Sequence, residues 1–315
     1  MSDAAADTTK PAALPPLSQN GARAVDYALL MLLATCWAAS YTFTKVGIQT
    51  IPPLTFMGVR SLLAAGLLLG LLWWRGLSLP SDAASWRMLL LQALLNSVLP
   101  FQMIGWAQQW VDASLATVLA STSPIFTFLI TWALTRNEPA TWAKLAGVLA
   151  GIAGIALIVG PKALVGNGPQ LLAELVIVAA AVCFASGSIF GRHLGRLDPM
   201  VAAAGSLAIG GVVLTPLSLV FDQPWTLHPS AASITALVMM AVISSALGLL
   251  IFYRLLKTLG PIGTMSQAYL RVPIGVAIPV FLLGEQLASS AYAGLALVVA
   301  GVAAMTIPER RRPRP

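Results

Sequence analysis

The chain has 315 residues, of which 58% are hydrophobic and only 9% charged, and its mean hydropathy is +0.84. A soluble domain carries about 25% charged residues, so the composition excludes a soluble enzyme or binding module and points to a chain that crosses a membrane many times. The net charge of +7 is no sign of nucleic-acid binding, because the basic residues sit in short loops and the C-terminal tail, where membrane orientation places them.

Residues 1–25 are polar and rich in Ala and Pro, which predicts a disordered cytoplasmic N-terminal tail. The first apolar stretch, Tyr27 to Ile48, is too long for a signal-peptide core and long enough to span. It predicts an uncleaved first helix. Ten such stretches follow one another, over 27–48, 54–75, 86–110, 114–135, 142–160, 170–191, 199–221, 231–255, 262–284 and 290–307. Breakers separate them: Ile51-Pro52-Pro53, Asn137-Glu138-Pro139, Gly166-Asn167-Gly168-Pro169, Gln223-Pro224 and Gly260-Pro261. Only Val111 to Ala113 divides the third stretch from the fourth.

The cations test this map. With the N-terminus inside, fourteen of the eighteen Lys and Arg fall on the cytoplasmic side, among them Arg75, Arg87, Arg136, Arg192, Arg196 and the Arg310–Arg312 cluster. Lys45 and Lys162 fall outside, and Arg60 and Arg271 lie within spans. Such asymmetry orients both termini to the cytoplasm.

A single ungapped shift of 147 residues pairs Cys36 with Cys183, Phe43 with Phe190, Gly58 with Gly205, Ser97 with Ser244, Thr117 with Thr264, Glu138 with Glu285, Gly147 with Gly294 and Gly154 with Gly301. Each half then holds five spans. Five is odd, so the second half enters the membrane from the opposite side. This is the inverted-repeat plan of many secondary transporters, which lets two pseudo-equivalent halves exchange conformations about a central site.

Several stretches carry a family resemblance. They are CWAASYTFTKVGI in the first span, PLTFMGVRSLLAAGLLL in the second, and the segment from ASLATVLASTSPIF to LAGVLAGIAGIAL that closes the first half. GPIGTMSQAYLRVPIGVAIPVFLLGEQ, followed by AYAGLALVVAGVAAM, closes the second half. In these the sequence resembles the drug/metabolite transporter superfamily, specifically its EamA-domain exporters, over about residues 26–307. The resemblance implies an all-α integral membrane fold, with ten transmembrane helices arranged as two inverted five-helix repeats around a central cavity. The repeats would occupy 26–160 and 170–307, joined by a linker over 161–169, with a basic cytoplasmic tail at 308–315. It implies a bacterial inner-membrane exporter. Relatives carry amino acids, other metabolites and drugs, so the substrate stays open.

The residues supply the candidate site. Arg271 lies ten positions past Pro261, roughly 15 Å along a helix rising ~1.5 Å per residue. A charge at that depth costs about 2.5–3.5 kcal/mol on insertion scales, so it should face a polar cavity or a partner. Gln267 is one turn earlier on the same face, and Thr264 another turn back. Pro273 and Pro279 predict a bend with freed carbonyls. Arg271 has Pro124 as its repeat mate, and EamA relatives are usually apolar there. Arg60 lies nearer the outer surface, within reach of snorkelling, and relatives often carry arginine at that place. Trp37, Tyr41 and Thr44 recur at helical spacing on the first span, and Gln92 and Asn96 on the third. Each polar stripe reads equally as cavity lining or as hydroxyls and amides bonding neighbouring helices. Gly147, Gly151, Gly154, Gly294 and Gly301 read as close-packing residues.

Other chemistries are not indicated. Cys36 and Cys183 read as small packing residues. No metal-ligand cluster, P-loop, cofactor motif or nucleophile–base pair appears. No Asp or Glu lies mid-span, which argues against a cationic cargo. The expectation is a secondary transporter of amino-acid-like zwitterions or anions. Its partners would be a small-molecule substrate and the lipid bilayer, with no nucleic acid, and it would be a monomer or homodimer. Export of drugs or nucleotide-like anions, and a non-translocating receptor or subunit, remain as alternatives.

Overall fold

A computed structural model of the chain describes residues 19–135, 141–165, 168–259, 263–264 and 267–306. The N-terminal tail up to residue 18, Glu138 with its loop, most of the turn at Gly260-Pro261 and the C-terminal tail lie outside the described residues.

The described chain is helical throughout. Helix α1 (Gln19–Gly47) begins inside the stretch expected as a tail. It is followed by α2 (Pro53–Trp74), α3 (Ala83–Ala93), a π-helical segment (Leu94–Val98), α4 (Leu99–Ala107), α5 (Ala113–Ala120), α6 (Ser123–Thr135) and α7 (Trp142–Val165). Then come α8 (Gly168–Phe190), α9 (Pro199–Phe221), α10 (Ala231–Met239), a second π-helical segment (Met240–Leu247), α11 (Gly248–Thr258), α12 (Gln267–Leu283) and α13 (Ser289–Thr306). Among the described residues seven continuous helical rods are long and apolar enough to cross a membrane, and three shorter apolar helices accompany them.

Local chemistry sets the ends. Asp82 Oδ1 accepts from the Ser85 amide at 2.7 Å, and Ser230 Oγ accepts from the Ser233 amide at 3.1 Å, each filling a donor that the first helical turn leaves orphaned. The α2 terminus is capped from across the bundle. Asp222 Oδ2 takes both the Thr55 amide and the Thr55 hydroxyl at 2.8 Å. Gly284, at φ +68°, supplies the left-handed residue that ends α12 and turns the chain towards Glu285.

The surface is apolar, unlike that of a soluble bundle, and polar side chains are set into an apolar interior. Leu149, Val212, Val220, Phe221 and Phe281 are exposed, while Arg60, Gln108, Glu174, Thr264 and Gln267 are buried. Glu174, expected only a turn inside its span, has no exposed surface. In lipid, apolar groups gain little by leaving the surface, so helices associate through small residues and polar contacts. The α7–α13 pair shows the first: a Cβ placed at Gly154 would stand 2.7 Å from the Gly294 carbonyl oxygen, and one at Gly294 equally close to the Gly154 oxygen. Gly301 meets Gly147 in the same way. The second is seen where α5 crosses α12. Pro279 has no N–H to offer the Gly275 carbonyl four residues back, and Thr117 Oγ1 donates to that oxygen at 3.3 Å.

Candidate substrate site

Arg271 is half-buried on α12, the helix packed along α1. No carboxylate pairs with Arg271 among the described residues. Gln267, one turn before it, is buried, and its Oε1 has no hydrogen-bond partner there. Trp37 stacks on Phe252 of α11 with ring centroids 5.4 Å apart. Gly248 leaves room for its indole: a Cβ there would come within 2.6 Å of Nε1. Thr44 takes the bland role that its position allowed, because it is buried and its hydroxyl donates to the Ser40 carbonyl at 2.8 Å and lies 3.4 Å from Met240 Sδ.

Gln92 and Asn96 stand elsewhere, against the end of α8. The π-helical segment re-aims the chain between them. Asn96 is exposed and packs on Gly187, and Gln92 lies beside Gly191. The Thr127 and Ser188 hydroxyls sit 3.5 Å apart, also exposed.

Arg60 does not snorkel. It is 3% exposed, and its guanidinium lies 4.0 Å from the centroid of the Phe101 ring, which meets Phe184 of α8 edge-on. Its Nε has no hydrogen-bond partner, and no carboxylate pairs with it among the described residues. Two guanidinium groups therefore stand inside the bundle with no carboxylate paired to them among the described residues.

The eight expected residues thus fall into three places. Trp37 and Thr44 on α1 meet α11 and the second π-helical segment, with Tyr41 between them in sequence, and Gln267 and Arg271 lie on α12, which packs along α1; Gln92 and Asn96 face α8; Arg60 sits on Phe101. Two cavities open near the outer parts of the helices. One, of about 250 Å³, is lined by Lys45, Ile48, Gln49, Gln108 and Gln109, and the other, of about 430 Å³, by Leu54, Gln102, Met103, Trp106 and Val176. Neither is walled by the eight.

Sequence reasoning missed three groups: the Phe101–Phe184 floor under Arg60, the buried Gln108, whose Nε2 donates to the Tyr41 carbonyl at 3.0 Å, and Glu285, whose carboxylate takes the first amides of α5. Pro100 beside Phe101 marked an irregular helix, but nothing local indicated these long-range partners.

A bundle with an apolar exterior, buried polar side chains and several helices long enough to span is an integral, multi-pass membrane protein. The EamA-like transporter family is matched over residues 26–160 and again over 171–307, and the chain belongs to that family of membrane transporters. It is 27% identical over 282 residues to the uncharacterized inner membrane transporter YedA of Escherichia coli K12, covering 89% of this chain and 90% of that one. It is 28% identical over 287 residues to a probable terminal-alkyne amino-acid exporter of Streptantibioticus cattleyicolor, covering 87% and 90%. A crystal structure superposes with a TM-score of 0.65 at 16% identity over 90% of this chain and 98% of the other, a likeness of fold.

Proposed function

We propose that the protein is a secondary exporter of amino-acid-like zwitterions or small anions, working by alternating access between two inverted five-helix repeats. The observation that carries the substrate class is Arg271: a half-buried guanidinium on the helix packed along α1, unpaired by any carboxylate among the described residues. A substrate carboxylate meets its planar fork with two parallel charge-assisted bonds. Trp37 and Tyr41 shape the apolar wall, Gln267 offers an unpartnered amide oxygen, and Gln92, Asn96 and Arg60 stand on the approach. The amino-acid cargo named for one relative accords with this chemistry.

Several features support the repeat. The same family matches each half. The two π-helical segments, Leu94–Val98 and Met240–Leu247, overlap under the 147-residue shift. The Gly154–Gly294 contact becomes the Gly147–Gly301 contact when the halves are exchanged. One repeat-related pair is asymmetric: Ser244 Oγ donates to the Cys36 carbonyl at 2.6 Å, whereas among the described residues Ser97 makes no such bond to Cys183. Alternate formation of equivalent contacts is how two like halves exchange open ends. Both termini are cytoplasmic in this reading, and the membrane is the bacterial inner one.

Counterflow of labelled against unlabelled L-amino acid in proteoliposomes tests the proposal. A charge-assisted bond contributes about 1.5–3 kcal/mol, so Arg271→Ala should lower exchange roughly tenfold to a hundredfold with little change in melting temperature. Arg271→Lys should fall between, since lysine lacks the fork. Undiminished exchange in Arg271→Ala would remove the assignment. Ligand binding with no exchange at all would favour a receptor.

A further inference from the structure

We propose that Glu285 is a gate residue whose carboxylate holds shut the end of the bundle that carries Lys45 and Asp112; the proposal rests on the alternating-access reading above. Glu285 lies in the turn between α12 and α13. Its Oε1 accepts from the Ala113 amide at 2.9 Å, and its Oε2 accepts from the Ser114 amide at 2.9 Å and the Ser114 hydroxyl at 2.6 Å. An ionised carboxylate on the first amides of a helix is a strong contact, through both hydrogen bonding and the helix dipole.

The capping group is the informative part. Helix α5 has its own N-cap acid, Asp112, and that side chain makes no capping bond. It stands 3.9 Å from the Lys45 ammonium instead. Lys45 also donates to the Gln108 carbonyl at 2.8 Å and the Val111 carbonyl at 2.9 Å, and Gln108 Nε2 returns to the Tyr41 carbonyl. One polar network therefore ties together the end of α1, the α4–α5 turn and the α12–α13 turn, three places far apart in sequence. A cap needed only to finish α5 would come from Asp112. Taking it from another helix pair makes closure of this end depend on the contact.

Packing agrees. Beneath the network, Ala107, Val111, Ala113, Leu119 and Tyr41 are buried in one apolar cluster, while Asn96 on the other side of the bundle is exposed. Apart from those bonds, the turn that carries Glu285 is held by Leu287, which is partly buried against the same cluster. Phe281 and Leu282 are 84% and 74% exposed, and Gly284, Gln286 and Ala288 are exposed as well. Losing three hydrogen bonds leaves the Leu287 side chain as the apolar hold on this turn, a small contact for a reversible gate to break.

The test is thiol accessibility in the full chain, reconstituted in sealed vesicles, with Cys36→Ala and Cys183→Ala and a reporter at Leu119→Cys, a position without exposed surface. A membrane-impermeant maleimide is applied to each face separately. Glu285→Gln should raise labelling from the Lys45 face at least fivefold. In the Ser114→Cys/Glu285→Cys pair, with labelling read at residue 119 alone by peptide mass spectrometry because the two new thiols also react, oxidation should suppress labelling at 119 and reduction restore it; because this is reversible on one folded sample, a folding defect cannot imitate it. Equal labelling of Glu285→Gln and its parent, or of the oxidised and reduced pair, overturns the gate. The assay contains no substrate, so absence of amino-acid counterflow would count against the cargo and leave the gate standing.

Discussion

Arg60 is held over a ring rather than beside an acid, and that choice has measurable consequences. A desolvated cation–π contact is worth about 2 kcal/mol, so Phe101→Leu should lower the melting temperature by a few degrees. Arg60→Met keeps the volume and removes a buried charge that no anion compensates, a change that is often neutral for stability. It should leave the melting temperature within a degree or two while lowering counterflow severalfold; loss of fold with unchanged exchange per folded molecule would make Arg60 purely structural. The sequence exposed both arginines as anomalies because charge inside an apolar run is visible locally. It did not reveal what each one touches. The Phe101 ring under Arg60 lies on another helix, and a snorkelling Arg60 and a stacked Arg60 have the same local sequence. Glu285 was legible only as a loop residue with a repeat mate in Glu138, since its partners lie more than 170 positions away.

At the scale of the helix, seven of the ten expected spans stand among the described residues as helices long and apolar enough to cross, and shorter apolar helices stand at the other three; length and hydropathy alone decide such spans. The two π-helical segments were not, since one extra residue per turn leaves no compositional mark. The glycines of α7 and α13 were read as packing residues, and their contact is backbone on backbone. Forcing extra atoms into such a seam costs about 1–3 kcal/mol or more. Gly294→Ala should reduce the yield of folded protein and its melting temperature. Gly70→Ala is the control, since nothing lies within 4 Å of a Cβ added there, and it should be neutral or slightly stabilising. Equal effects at the two sites would show that the seam tolerates separation.

For the whole molecule, the strongest sequence signal is the sidedness of its cations. It implies that reporters fused at residue 1 and at residue 315 report the same, cytoplasmic, compartment, while a cysteine at Lys45 labels from the opposite side. Reporters in different compartments would require an odd number of crossings and undo the repeat as drawn.

The α7–α13 seam also bears on how the protein is made. Gly147 leaves the ribosome 147 residues ahead of Gly294. At about 5–20 residues per second, helix α7 waits in the bilayer for roughly 7–30 seconds with its glycine face bare. During that interval the face is open to any small-residue helix nearby, including one from another nascent copy. The last helix therefore acts as a time-limiting closure of assembly, and substitutions along the seam will first change how many chains reach the native bundle.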